Sequence, residues 1–304
     1  GADIKPADVA DADALIVRTR TRCDRHLLEG SRVEFVATAT IGIDHLDTEW
    51  LDEAGIHWVN CPGCNASSVG QYVETSLMRL GITSGAVVGI VGCGHVGKEV
   101  EIVCERLGLE TIINDPYIDD HSYVSLEEVV KHSDVITFHV PLTYKGEYPT
   151  YKMADRRFFD MLSDRERPLE CIINTCRGGV IDEQALLDAM DAGIVKRAVI
   201  DTWENEPDIN RRLLERADIA TPHIAGYSAD GKVKADNMVI DALCSHFGLE
   251  SPGMINPPAL PPYYIYKGSA LDLYDPLIDT RRLKSHPETF EEQRGNYPLR
   301  REHI

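Results

Sequence analysis

The run Ala86-Val-Val-Gly-Ile-Val-Gly-Cys-Gly-His-Val-Gly97 decides how this chain folds. Residues 86–92 form a short apolar stretch, the pattern of a strand buried on both faces. Gly92-x-Gly94-x-x-Gly97 follows at once, and residues 96–107 read as a helix with Val96, Val100, Val103 and Leu107 along one side. Strand, glycine turn and helix together make a dinucleotide-binding fingerprint. Gly92 permits the tight turn, Gly94 lets the backbone approach a pyrophosphate, and Gly97 lets the helix pack on the strand. His95 precedes and Val96 opens the helix, where free N–H groups and the positive end of the dipole face the phosphates. Asp115 ends the next apolar run, Thr111-Ile-Ile-Asn-Asp, 18 residues after Gly97. A carboxylate there accepts hydrogen bonds from both ribose hydroxyls of NAD and repels the 2′-phosphate of NADP. No Arg or Lys follows it in residues 116–120. The expected cofactor is NAD.

Working outward, the chain of 304 residues suggests two domains or a little more. Hydrophobic content of 43% and charged content of 27% are those of a globular protein. No apolar run approaches the ~20 residues that span a bilayer, and the opening residues do not resemble a signal peptide. A net charge of −19 argues against nucleic-acid and anionic-membrane partners. An anionic substrate must then meet a local cationic pocket. Eight cysteines are scattered, five of them in or beside apolar runs, which suits buried thiols in a reducing cytoplasm. Cys61-Pro-Gly-Cys64 has no second such pair and no nearby His pair, so it reads as a turn and no metal is expected.

Residues 1–60 read as a small α/β unit with strands at 12–18, 33–40 and 56–60. It opens abruptly, as though a further strand preceded Gly1. Residues 65–80 read as a long helix, capped by Asn65 or Ser67, that carries the chain into the second domain. Only Gly81–Gly85 separates it from the strand at 86. Strands then follow at 86–92, 110–115, 134–140, 170–176, 196–201 and 217–221. Helices lie near 96–107, 125–132, 155–162 and 182–192. This alternation predicts an α/β fold with a doubly wound parallel sheet and ligands at the strands' carboxyl ends. A helix over 232–247 runs back to the first domain, and the proline-rich residues 251–262 lead into a small appended unit. The expected domains are 1–73 completed by 228–248, then 74–227, then 249–304.

Three chemically apt residues follow successive strands. Arg177 lies in Thr-Cys-Arg-Gly-Gly, Glu206 in Asp201-Thr-Trp-Glu-Asn-Glu-Pro, and His223 in Thr221-Pro-His-Ile-Ala-Gly-Tyr. Arg presents a planar fork that matches a carboxylate. His takes a hydroxyl proton near neutral pH, and an adjacent Glu orients it. Oxidising a 2-hydroxy acid with NAD needs those three functions. Singly, each residue also has an ordinary structural use, as a strand cap, a solvated loop carboxylate or a packed turn histidine.

These segments resemble the D-isomer-specific 2-hydroxyacid dehydrogenases. The likeness is carried by the glycine turn, Asn174-x-x-Arg-Gly, Asp201-x-Trp-x-x-Glu-Pro and Pro222-His-Ile-Ala-Gly. Further motifs narrow it to the branch that oxidises 4-phospho-D-erythronate on a route to pyridoxal phosphate. They are Thr38-Ala-Thr-x-Gly-x-Asp-His, Pro62-Gly-Cys-Asn-Ala, Thr137-Phe-His-x-Pro-Leu, His223-Ile-Ala-Gly-Tyr-Ser and Thr289-Phe-Glu-Glu-Gln-Arg-Gly-Asn-Tyr-Pro-Leu-Arg-Arg. The resemblance implies a Rossmann NAD domain, a flavodoxin-like substrate domain and a small C-terminal dimerisation unit, hence a homodimer. It implies Arg177, Glu206 and His223 as catalytic residues. It places NAD contacts on Asp115, Thr175, Cys176, Arg177, Asp201 and Gly226. Substrate contacts fall on Thr19, Thr40 and Tyr227. Val140 stands where many relatives carry a Thr near the cofactor. Thr19 with one or two of Arg18, Arg20 and Arg22 is expected to line the phosphate end of the pocket. Two other readings stay open: a different enzyme of the family, such as one acting on 3-phosphoglycerate, and an NAD-sensing corepressor of the same fold.

Overall fold

The computed structural model describes residues 4–262 and 264–302. Residues 1–3, 263, 303 and 304, which fall in the expected first and last domains, lie outside them. The chain divides into two compact units, Gly1–Asn65 with Ser228–Leu260 and Ala66–Tyr227 with Pro261–Ile304.

The first unit opens with helix α1 (Pro6–Val9) and strand β1 (Ala14–Val17), then α2 (Arg25–Leu28), β2 (Phe35–Thr38), α3 (Thr48–Glu53) and β3 (His57–Val59). Its sheet is parallel in the order β1-β2-β3. Alternation along β2 sends Val36 to a core shared with Leu28 and Leu51, and Phe35 and Ala37 to a core shared with Cys61, Ala235 and Val239. Asp24 and Asp47 cap α2 and α3 by accepting from Leu27 N–H and Trp50 N–H.

The second unit begins with α4 (Ala66–Arg79) and continues β4 (Val87–Val91), α5 (His95–Arg106), β5 (Glu110–Asn114), α6 (Leu126–His132), β6 (Val135–Phe138) and α7 (Arg156–Ser163). It goes on through β7 (Leu169–Asn174), α8 (Glu183–Asp191), β8 (Val195–Ile200), α9 (Arg211–Arg216) and β9 (Ile219–Ala220). All six strands are parallel, in the order β5-β4-β6-β7-β8-β9. The winding reverses between β4 and β6, so a crevice opens at the carboxyl ends of those strands. Ile136, Phe138, Ile172, Ala198 and Ile200 enter a core built with α7, α8 and α9. Val135, Cys171, Ile173 and Val199 enter the opposite core with α4 and α5. Both faces are covered, which is why these strands read as continuous apolar runs.

Helix α10 (Ala229–Phe247) returns the chain to the first unit, capped by Ser228 and ended by Gly248 at φ +63°. The tail then forms α11 (Ala270–Leu273), α12 (Pro276–Ser285) and α13 (Phe290–Gly295).

The units differ from the expected domain bounds at two places. The crossing lies at Asn65, ahead of α4, because Val69, Tyr72, Val73 and Leu77 of that helix pack with Val100 and Cys104 of α5. The tail is no separate body. Residues 249–260 group with the first unit and 261–304 with the second, where Leu283 and Phe290 join one core and Tyr274 the other. The strand expected at 217–221 is reduced to Ile219–Ala220. Helix α9 follows Asn210, which accepts from Arg212 N–H and Leu213 N–H. That helix buries only Leu213 and Leu214, too short a stripe to read from periodicity.

Candidate active site

The glycine turn after β4 has the shape its residues require. Gly92 sits at φ +89°, and a Cβ there would lie 2.8 Å from the His139 carbonyl oxygen. A Cβ on Gly97 would lie 2.2 Å from the Gly92 carbonyl oxygen, so only glycine lets α5 approach the strand. Gly94 is the N-cap of α5 and faces open space, with nothing within 4 Å of its ideal Cβ. His95 and Val96 follow as the first helical residues. Asp115, just past β5, accepts from Cys93 N–H at 2.9 Å and Tyr117 N–H at 3.1 Å. Its carboxylate is thereby fixed beside the turn, and each oxygen has two acceptor sites. An open glycine cradle, a long helix aimed by its N-terminus and a fixed carboxylate suit the pyrophosphate and ribose of NAD.

His139 was not singled out from the sequence beyond its motif. It follows β6, at the reversal in winding, and meets Thr137 Oγ1 at 2.9 Å and Thr175 Oγ1 at 3.3 Å. Burial pushes its imidazole down to about 3, so it is a neutral ring that orients two threonines. Val140 packs against Gly92 through a methyl group. The Cys176 thiol is buried, which pushes it up to about 11, and it donates to Asn174 Oδ1.

Glu206 and His223 are brought together. His223 Nδ1 lies 2.8 Å from Glu206 Oε2 and 3.1 Å from Oε1, and Trp203 N–H donates to Glu206 Oε1 at 2.9 Å. Burial alone would raise the Glu206 carboxyl, but the His223 bond and charge outweigh it and hold the group below its usual value. His223 adopts φ +55°, a left-handed conformation uncommon for a residue with a side chain. Asp201 sustains it from below. That carboxylate, 1% exposed, accepts from Thr221 Oγ1 at 2.6 Å, Ile224 N–H at 2.8 Å and Ala225 N–H at 3.0 Å. In this structure Asp201 therefore anchors the histidine loop.

Arg177 follows β7, with its Nη1 donating to the Cys176 carbonyl at 2.8 Å. A Cβ on the next residue, Gly178, would fall 1.9 Å from the Trp203 carbonyl oxygen. The Arg177 loop thus lies directly against the loop that carries Glu206. Gly226 and Tyr227 close the histidine loop, where Tyr227 N–H donates to the Ile224 carbonyl at 2.8 Å.

In the first unit, Thr19 is exposed just past β1. Thr40 lies past β2 in a polar cluster, 2.7 Å from Thr38 Oγ1, and Thr38 meets His45 Nε2 at 2.9 Å. Arg18 is ion-paired with Asp236 and Arg22 with Asp24. All eight cysteines are free and buried. Among the described residues, no helix is long and apolar enough to cross a membrane.

Residues 66–225 match the family described as D-isomer specific 2-hydroxyacid dehydrogenase, NAD binding domain. Over 99% of its length the chain is 49% identical to a Bacteroides fragilis protein named erythronate-4-phosphate dehydrogenase, covering 89% of that protein. A Porphyromonas gingivalis protein of the same name is 43% identical, with 98% of this chain and 85% of that one covered. Among solved structures, NAD-bound 3-phosphoglycerate dehydrogenase from Entamoeba histolytica is similar at a TM-score of 0.66 and 25% identity. That match covers 83% of this chain and 84% of that one.

Proposed function

Because the chain belongs to the D-isomer-specific 2-hydroxyacid dehydrogenases, in the branch of the erythronate-4-phosphate dehydrogenases, we propose that Arg177, Glu206 and His223 serve the NAD-dependent oxidation of the 2-hydroxyl of 4-phospho-D-erythronate. The product is the 2-oxo acid, and the reaction is the NAD-dependent step of vitamin B6 synthesis that the branch performs. NAD, when bound, supplies the two-electron acceptor that takes the hydride from C2. Its cradle is read as the turn Gly92–Gly97, with Asp115 on the ribose and Val140, Thr175, Cys176 and Gly226 along the crevice. Asp201 is read as acting through the loop it anchors.

The chemistry falls to few groups. Arg177 offers its fork to the substrate carboxylate and fixes which face of C2 is presented. His223 Nδ1 is engaged by Glu206, so Nε2 is the nitrogen left to take the hydroxyl proton as the C2–O bond becomes a carbonyl. Glu206 then stabilises the imidazolium. One observation carries this reading: the Glu206–His223 pair stands past the carboxyl ends of the same sheet as the glycine turn.

Thr19, Thr40 and Tyr227 are read as substrate contacts. Of the arginines after β1, Arg18 and Arg22 already face aspartates, which favours Arg20 for the phosphate. A cytoplasmic homodimer is read from the family likeness, and exposed Ile265 and Ile278 in the tail support a subunit contact there. The test is NADH fluorescence with a panel of 2-hydroxy acids carrying or lacking a terminal phosphate. Turnover restricted to the four-carbon phosphorylated acid is expected. Preference for 3-phosphoglycerate, or NAD binding without turnover of any acid, would overturn the assignment.

A further inference from the structure

We infer that Arg294, on helix α13 of the C-terminal tail, is a positioning residue of the active site that sets the Tyr227 phenol for the substrate. Its Nε donates to Tyr227 Oη at 3.0 Å, and the guanidinium carbon lies 5.8 Å from the Tyr227 ring centroid. The side chain is only 20% exposed, and its carboxylate partner, Glu291, is half-exposed at 3.6 Å. Withdrawing a guanidinium this far from water, for so distant an ion pair, is costly unless the cation has another use.

That use is set by its neighbours. Burial raises the Glu206 carboxyl, while the His223 contacts, the Trp203 N–H bond and, last, the Arg294 charge lower it, so the guanidinium stands within electrostatic reach of the catalytic pair. A phenol oxygen that accepts a bond from a cation becomes a stronger donor through its own O–H. Tyr227, two residues beyond Ala225 of the histidine loop, thereby offers a polarised donor to an anionic oxygen of the substrate. The arm that carries Arg294 is rigid. Phe290 is buried in the core, and Gln293 Nε2 donates to the His286 carbonyl and Thr289 Oγ1, both at 2.8 Å. The Tyr227 ring meets Tyr297 edge-on at 6.0 Å, and Tyr297 donates to Asp279 Oδ2 at 2.7 Å. The tail therefore belongs to the catalytic apparatus of its own chain.

The inference rests on the hydroxy-acid reading of the site, and wild-type turnover tests that reading separately. Arg294→Met, Arg294→Lys, Tyr227→Phe and the double variant Arg294→Met/Tyr227→Phe are assayed for KM of both substrates and for kcat. Arg294→Met should raise KM for the hydroxy acid about tenfold and leave KM for NAD within twofold. Arg294→Lys should recover part of the loss, since a point charge replaces a fork. The double variant should be no worse than the worse single variant, because both remove one unit. If wild type turns over but Arg294→Met leaves KM for the acid unchanged, or raises KM for NAD in step, the inference is wrong. Additive losses in the double variant would also refute it. Should Arg294→Met fail to fold, the Lys variant decides alone: wild-type KM with Lys refutes the role, and a selective rise for the acid supports it.

Discussion

Asp115 holds the glycine turn, and the ribose role proposed for it would use the same carboxylate. It ties Cys93 N–H and Tyr117 N–H across the turn, and the same charge suits ribose hydroxyls. Asp115→Ala should narrow the preference for NAD over NADP by weakening NAD, by about 1.5–3 kcal/mol or roughly 10- to 100-fold in kcat/KM. Wild-type protein that used both cofactors equally would remove Asp115 from the ribose. For the proposed proton-transfer pair, His223→Asn should cost about 10² to 10⁴ in turnover while the NAD dissociation constant stays within twofold. Glu206→Gln should lower kcat about tenfold or more while KM for NAD stays within twofold, because the carboxylate fixes the ring that takes the proton. Unchanged kcat would separate Glu206 from the base.

Among the elements, the histidine loop is held from two sides. Asp201 holds it from the sheet, and Arg300 holds it from the tail. Arg300 is 3% exposed, donates to the carbonyls of Ser68, Ile224 and Ala225, and lies 3.8 Å from the Tyr274 ring centroid. Arg300→Met would leave those buried carbonyls short of donors, a loss of about 2–4 kcal/mol, and urea unfolding should show it. Helix α8 contributes a pH dependence. Burial pushes its first carboxyl, Glu183, up to about 7, while the group accepts from Glu204 N–H. A folded value above the unfolded value of 4.5 means the folded state binds the extra proton. Stability from this group is full below about 4.5 and is lost as pH rises through about 7, on the order of 2–3 kcal/mol. Glu183→Gln should flatten the change in unfolding midpoint between pH 5 and pH 8. An unaltered slope would assign that pH dependence to other groups.

For the whole molecule, the tail is covalently last but structurally internal to the second unit. Tyr274, Leu283, Phe290 and Arg300 are buried there, and each large apolar side chain is worth roughly 1.5–3 kcal/mol of transfer. Deleting residues 261–302 should therefore cost cooperative folding, which differential scanning calorimetry would record. A point change reads the proposed subunit contact more cleanly. Ile278 is 59% exposed on α12, and Ile278→Asp should shift the solution mass of the proposed dimer toward monomer. Unchanged mass would place the contact elsewhere.

The strand, glycine turn and helix were legible in the sequence because their causes are local. Steric demands single out Gly92 and Gly97, and short apolar runs mark strands covered on both faces. Arg177, Glu206 and His223 could be named because parallel strands deliver their following residues to one edge. Which of them bond was decided by the tertiary fold, through the left-handed turn at His223 and the buried Asp201 beneath it. The tail shows the same limit more strongly. Tyr227 and Arg294 are 67 residues apart, and Arg300 reaches back 232 residues to Ser68. Such contacts depend on shape and burial across the whole unit and leave no period or spacing in the chain, so a tail that reads as an appendage folds into the cores of the second unit.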